Sequence, residues 1–255
     1  MECIGFGVCR LATISVMKGP EWTGPQITQL LFGEHYLVMS KTRQGWLEIH
    51  APVIDISGWI RHEQHHDIVE EYFRQIEHSD FRITTDVVSP LLFRKQPLTV
   101  VIGSLVPLNS AELFKIEEQL AFNGETKIQN QKRDSEFLES IAMKFLNAPE
   151  SAGGRTPFGI DSDAFIKLVY RLAGFPINST LANLQKNSSA VEFDSVKPGD
   201  LVYLNAGKIT HHGIYLTGGR VIHCQGYVRI ETLQDNYLNT ETQKWMLTDI
   251  RRILV

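Results

Sequence analysis

The sequence predicts an α+β chain, and three observations carry that prediction. Residues 1–66 hold short apolar, β-branched runs separated by turn residues. The second half places two amphipathic helical patterns ahead of a set of antiparallel strands. The third observation is the charge balance: 25 Lys and Arg against 29 Asp and Glu give a net charge of −4. With 43% hydrophobic residues, that is the balance of a core-forming chain rather than a disordered one. At 255 residues, two or three small domains are expected rather than one.

A pI near 6.1 supplies no basic footprint, so neither nucleic acid nor a membrane surface is expected as a partner. No apolar run approaches the ~20 residues needed to span a bilayer. Met1-Glu2-Cys3-Ile4-Gly5-Phe6 shows no basic segment followed by a long apolar one. Cys3, Cys9 and Cys224 are too few, and odd in number, for a disulfide framework. Together these features lead to the expectation of a reducing, cytoplasmic address.

The elements follow in order. Residues 4–16 read as strand, Lys18-Gly19-Pro20 and Gly24-Pro25 as loop, and Tyr36-Leu37-Val38-Met39 and Trp46-Leu47-Glu48-Ile49 as further strands. Gly58-Trp59-Ile60 closes what should be a small antiparallel barrel over 1–66. Ile68, Tyr72, Phe73 and Ile76 repeat at helical spacing, which predicts a helical connector over 67–77. Two more β-type stretches, 82–92 and 98–104, begin a second barrel over 78–130 whose completeness is open. Residues 111–120 have a helical composition, and 127–135 read as a polar linker.

From Ser135, a candidate cap, Phe137, Leu138, Ile141, Ala142 and Phe145 line one helix face. Residues 161–173 make a second amphipathic helix with Gly174 in the C-terminal capping position. After Pro198-Gly199-Asp200, strands are expected at 201–204, 213–216 and 220–223. Gly218-Gly219 should be a two-residue hairpin turn. This pattern makes 133–255 an α+β domain.

A helix followed by a sheet carrying His211 and His223 is similar to the layout of papain-like cysteine hydrolases. The stretch from Pro149 to Phe165 resembles the NlpC/p60 signature P-Y-x-W-G-G-x-x-x-x-G-x-D-C-S-G-F. Pro198-Gly199-Asp200-Leu201 resembles its P-G-D-L turn, His211-His212-Gly213-Ile214-Tyr215-Leu216 its H-V-G-I-Y-L strand, and Val221-Ile222-His223-Cys224 its third catalytic strand. Residues 29–34 and 58–60 resemble bacterial SH3-like modules. The resemblance implies a papain-like NlpC/p60 domain behind two SH3-like barrels. It also implies hydrolysis of cell-wall peptides between γ-D-glutamate and a diamino acid, with no cofactor or metal.

That chemistry uses a cysteine at a helix N-terminus, where the helix dipole lowers the thiol pKa, a histidine base and a third polar residue that orients it. Here Ser162 stands at the cysteine position, with His211 and His223 at the other two. The substrate-pocket positions also depart from the signature. Glu150 replaces Tyr, Ala152 replaces Trp, and Asp163 and Ala164 replace Ser and Gly. Ser179 replaces the Arg of L-P-R, and Ile56 stands near the tyrosine expected before Gly58-Trp59. Asp161 is kept. A serine hydroxyl is too weakly acidic for a thiolate-type ion pair, so His211 would have to act as a general base. Near His211, the carboxylates of Glu150 and Asp163 would stabilise its charged form.

Plainer roles exist for each residue: a helix-cap hydroxyl for Ser162, a hydrogen-bonded pair for His211 and His223, and a small core residue for Cys224, facing away from His223. Glu150 with Asp163 would be a solvated cleft wall rather than an acid/base pair or metal site, since nothing in their spacing fixes a ligand geometry. His62-Glu63-Gln64-His65-His66 lacks the H-E-x-x-H spacing of zinc proteases. Trp22, Trp46 and Trp59 read as barrel core and rim. The sequence therefore predicts an inactive homologue of a cell-wall cysteine endopeptidase that binds a peptidoglycan-derived peptide or a protein. The alternative is an active hydrolase using Ser162 with His211 as general base.

Overall fold

The computed structural model describes residues 3–78, 81–107 and 120–254. It divides into two compact units, one of residues 1–129 with 152–156, the other of 130–151 with 157–255. No helix among the described residues is long and apolar enough to cross a membrane.

In the first unit, β1 (Gly5–Val8), β2 (Thr13–Met17), β3 (Gln26–Leu31), β4 (His35–Lys41), β5 (Trp46–Ala51), β6 (Ile56–Arg61) and β7 (Asp67–Ile68) form one antiparallel sheet. Their order is β3-β2-β6-β5-β4-β1-β7. Alternation turns Ile14, Val16, Leu30, Tyr36, Val38, Leu47, Ile49 and Ile60 onto a shared core. The predicted connector is α1 (Glu70–His78), which starts three residues late because 67–68 pair with β1, and it buries Phe73 and Ile76.

Two three-stranded sheets follow. They use β8 (Phe81–Thr84), β9 (Val88–Phe93), β10 (Gln96–Val101), β11 (Leu105–Pro107), β12 (Leu120–Phe122) and β13 (Thr126–Ile128), in the orders β10-β9-β12 and β11-β8-β13. Their small core contains Phe32, Leu91, Val100 and Val106. The helical composition at 111–120 falls outside the described residues except at Leu120, which opens a strand.

Residues 152–156 complete this unit. Gly153 has φ +67°, and a Cβ there would stand 2.6 Å from the Gln26 carbonyl oxygen, so only glycine fits. On β14 (Arg155–Thr156), the Arg155 guanidinium donates to both carboxylate oxygens of Glu34 at 2.8 and 3.0 Å. The two side chains are 8% and 1% exposed. A bidentate, buried pair of this kind anchors the segment strongly, because removing either charge strands the other.

The second unit begins with α2 (Ser135–Met143). Its cap is Asp134 rather than Ser135: the Asp134 side chain accepts from Phe137 N. The expected polar linker therefore shortens, since β13 takes its start and α2 its end. After β15 (Gly159–Ile160) come α3 (Ser162–Leu172) and α4 (Leu181–Asn187). On α3, Phe165, Leu168, Val169 and Leu172 are buried as its pattern predicts, each contributing roughly 1.5–3 kcal/mol. Gly174, at φ +89°, ends the helix.

Six antiparallel strands then close a barrel: β16 (Leu201–Ala206), β17 (Ile209–Leu216), β18 (Arg220–Gln225), β19 (Tyr227–Gln234), β20 (Tyr237–Asn239) and β21 (Lys244–Arg251). Leu216 pairs with Arg220, so the β17–β18 connection is Thr217-Gly218-Gly219, one residue longer than expected. Val202, Leu204, Val221, Trp245, Leu247 and Ile250 fill one core. In the Pro198-Gly199-Asp200 turn, buried Asp200 accepts from Lys197 N and from the Arg252 guanidinium.

Candidate functional site at the first turn of helix α3

Helix α3 starts with Asp161 as its N-cap, the side chain accepting from Asp163 N at 3.0 Å. Ser162 is consequently the first helical residue and not the cap. Its hydroxyl makes no hydrogen bond among the described residues. Asp163 reaches His212 on β17, with Nδ1 and Oδ1 3.2 Å apart. The hydrogen bond from His212 holds the Asp163 carboxyl below the ordinary carboxylate range, outweighing its burial. Across β16, the His212 ring stands edge-on to Tyr203, at a centroid distance of 5.0 Å.

His211 and His223 lie together on the other face of the strands. Gly213 pairs with His223, and His211 is two residues from Gly213, so both imidazoles share a side. His211 Nε2 is 2.9 Å from His223 Nδ1. The His211 ring also tilts against Trp245, whose Nε1 donates to Gln225 Oε1 at 3.2 Å. Burial pushes His211 down to about 4, and His212 and Arg229 add to that effect. His223 falls to about 3, again through burial first, then through His211 and Arg229. His223 Nε2 is buried and has no hydrogen-bond partner among the described residues.

The expectation was that carboxylates near His211 would stabilise its charged form. Asp163 does favour the imidazolium, but burial dominates. The Glu150 carboxylate is engaged by the backbone, accepting from Gly226 N at 2.6 Å. Cys224 faces away from His223 as strand alternation requires. Its Sγ donates to the Ile160 carbonyl, and burial raises the thiol to about 12.

Ser179 lies in the connection to α4, its hydroxyl donating to Thr180 O, while Thr180 caps that helix. Ala152 and Ile56 belong to the first unit, Ala152 exposed and Ile56 half-buried opposite Ala51. Asp161, Ser162 and Asp163 therefore meet β17 through His212, and His211 with His223 form a bonded pair. The other expected pocket positions hold separate local roles. Among the described residues, no cluster of three His, Cys, Asp or Glu side chains is placed to hold a metal ion.

Two contributors were not singled out by sequence reasoning. His212 carried a signal, because it occupies the valine position of the H-V-G-I-Y-L pattern. Arg229, which pairs across strands with His223, carried none.

Comparison with known proteins agrees with this architecture. The NlpC/P60 family model matches residues 149–247. A gamma-D-glutamyl-L-lysine dipeptidyl-peptidase of Bacillus subtilis (strain 168) is 24% identical over 217 residues, covering 77% of this chain and 71% of that protein. A probable endopeptidase p60 of Listeria grayi is 34% identical over 101 residues, which is 39% of this chain but only 20% of that relative's length. Among solved structures, an NlpC/P60 family protein from Bacillus cereus ATCC 10987 has a TM-score of 0.81 at 18% identity, covering 98% of this chain and 100% of that one. An NlpC/P60 endopeptidase from Photobacterium damselae subsp. piscicida has a TM-score of 0.70 at 13% identity, covering 98% and 72%. At these identities the structural likeness is one of fold. With the helix, barrel and motif positions in hand, the likeness to NlpC/P60 proteins lies in residues 149–247, the stretch that the family model matches.

Proposed function

We propose that this NlpC/P60 domain is a peptidase framework that binds a cell-wall peptide without cleaving it, Ser162 standing where the family's enzymes carry cysteine. The carrying observation is that His223 Nε2 has no hydrogen-bond partner among the described residues. A serine at position 162 needs a base with a bare nitrogen, and His211 Nε2 is already engaged, which leaves Nδ1. If Nδ1 is bare, Nε2–H donates to His223 Nδ1 and the buried His223 Nε2–H has no acceptor. In the reverse tautomer His223 Nδ1 donates, its Nε2 carries a lone pair, and His211 Nδ1 carries hydrogen. The second arrangement suits the Arg229 cation and removes the base.

Charge development meets the same obstacle. Proton abstraction would create an imidazolium that burial, His212 and Arg229 all oppose. In a working triad the third residue stabilises that cation. The ligand inferred is a γ-D-glutamyl-diamino acid peptide or a protein. Residues 1–66 and 78–130 would serve as SH3-like modules ahead of 133–255, in a cytoplasmic setting.

A second reading has one observation in its favour: His211 is neutral at pH 7 and so is not barred by charge from accepting a proton. It makes the protein a serine hydrolase on the same frame. Mass spectrometry of L-Ala-γ-D-Glu-diaminopimelate incubated with the protein separates the two. The intact peptide is expected. Cleavage that disappears in Ser162→Ala would overturn the binding role.

A further inference from the structure

We propose that Gln225 is the positioning residue of the histidine pair: its one side-chain oxygen holds the Trp245 indole against His211 and the Arg229 guanidinium beside His223. Gln225 and His223 stand two residues apart on β18, so their side chains share a face of the strand. Gln225 Oε1 accepts from Trp245 Nε1 at 3.2 Å and from Arg229 Nη2 at 3.3 Å. Strands β18 and β21 are not neighbours in the barrel, so the bond to Trp245 joins strands that no ladder connects. The bond to Arg229 is diagonal, since Gln225 pairs with Tyr227 and His223 with Arg229.

The chemistry of the two donors fixes the amide. An indole N–H and a guanidinium only donate, so the oxygen and not the nitrogen of Gln225 must face them. Trp245 is buried, and a buried indole N–H requires an acceptor, which Gln225 supplies. Held this way, the Trp245 ring lies 5.0 Å from the His211 ring at an angle of 35°. His211 Nε2 in turn meets His223 Nδ1 at 2.9 Å. One oxygen therefore ties the aromatic wall of His211 to the cation that opposes charge on both imidazoles.

Among the described residues, His212 on β17, Asp163 on α3 and Arg229 on β19 act on the pair by charge. Glu231, on the same strand as Arg229, lies 3.5 Å from its Nε, and the Tyr227 ring centre lies 5.4 Å from its guanidinium carbon. Gln225 is uncharged, so it places Arg229 without cancelling its charge. A carboxylate at 225 would accept from the same two donors and neutralise the guanidinium. The inference deepens the proposed function and rests on it in one respect, that Arg229 keeps the imidazoles uncharged.

Nuclear magnetic resonance of the full chain tests it, with the imidazole signals assigned from His211→Gln and His223→Gln spectra. In Gln225→Glu, which keeps both hydrogen bonds, at least one imidazole of the pair should titrate about one pH unit higher than in the parent. In Gln225→Met, which keeps length and removes the acceptor, the Trp245 indole hydrogen should exchange with solvent roughly ten-fold faster or more. The His211 ring protons should also lose the ring-current shift that Trp245 imposes. Gln234→Glu, the same charge change at the exposed end of β19, should leave both imidazoles as in the parent. Parental imidazole titration in Gln225→Glu, parental indole exchange and ring-current shift in Gln225→Met, or an equal titration shift in Gln234→Glu would each overturn the proposal. Mass spectrometry of the γ-D-glutamyl peptide reads the proposed function separately: cleavage by the parent overturns that function, while the spectra still decide the role of Gln225.

Discussion

His212 Nδ1 lies 3.2 Å from Asp163 Oδ1, joining β17 to the first turn of α3 one residue from Ser162. The carboxyl's pKa is depressed in the folded state, so its contribution is present above the unfolded value and is lost as pH falls through the folded one. Because the Asp163 side chain is 51% exposed, solvent screens the pair and the contribution should stay below about 1 kcal/mol. Asp163→Asn is expected to show that small deficit in urea denaturation at pH 7 and none at pH 2. A deficit that persists unchanged at pH 2 would assign the effect to packing.

The His211–His223 pair acts in the same direction over a higher pH window. Both folded pKa values lie below the ordinary imidazole value, at about 4 and about 3. The unfolded chain therefore binds more protons across that window, and stability rises with pH there. Melting temperature should fall as pH drops from about 6.5 towards 4. In a His211→Gln/His223→Gln variant that slope should flatten, and a slope identical to the parent's would place the acid sensitivity elsewhere.

The tautomer is directly observable. With Arg229 acting on His223 and no acceptor at His223 Nε2 among the described residues, the hydrogen of His211 should reside on Nδ1. Long-range nitrogen–proton correlation spectra at pH 7 distinguish the two neutral forms. A bare Nδ1 on His211 would restore the base that serine chemistry needs.

Within the first unit, Glu34 and Arg155 are both buried and bonded twice. Glu34→Gln strands the guanidinium and should cost about 3–5 kcal/mol in chemical denaturation. Glu34→Leu combined with Arg155→Met removes both charges and should recover most of that loss.

The local pattern carried much of the fold. Apolar spacing located α3 to within a residue at each end, because its buried face repeats cleanly from Phe165 to Leu172. Strands β19 to β21 were missed because their outward residues are polar and their alternation is interrupted, as in Tyr227–Gln234. The turn between β19 and β20 had a readable signal in Asp235-Asn236, both at positive φ. In the site, Asp163 and His212 were visible as departures from a motif, but only strand alternation shows that His212, not His211, meets Asp163. Glu34 and Arg155 are 121 residues apart, and no local rule connects them.

Ser162→Cys tests whether a thiol at this position is sufficient for cleavage. Position 162 opens an 11-residue helix, where the dipole favours a thiolate, but Asp163 adds a negative charge in the same turn. The proton must still go to an imidazole whose charged form is opposed by burial and by Arg229. Iodoacetamide should therefore label Cys at 162 faster than buried Cys224, while L-Ala-γ-D-Glu-diaminopimelate remains intact in the mass spectrum. Turnover by this single variant would show that the histidine pair is a competent base and that the residue at 162 decides whether the peptide is cleaved.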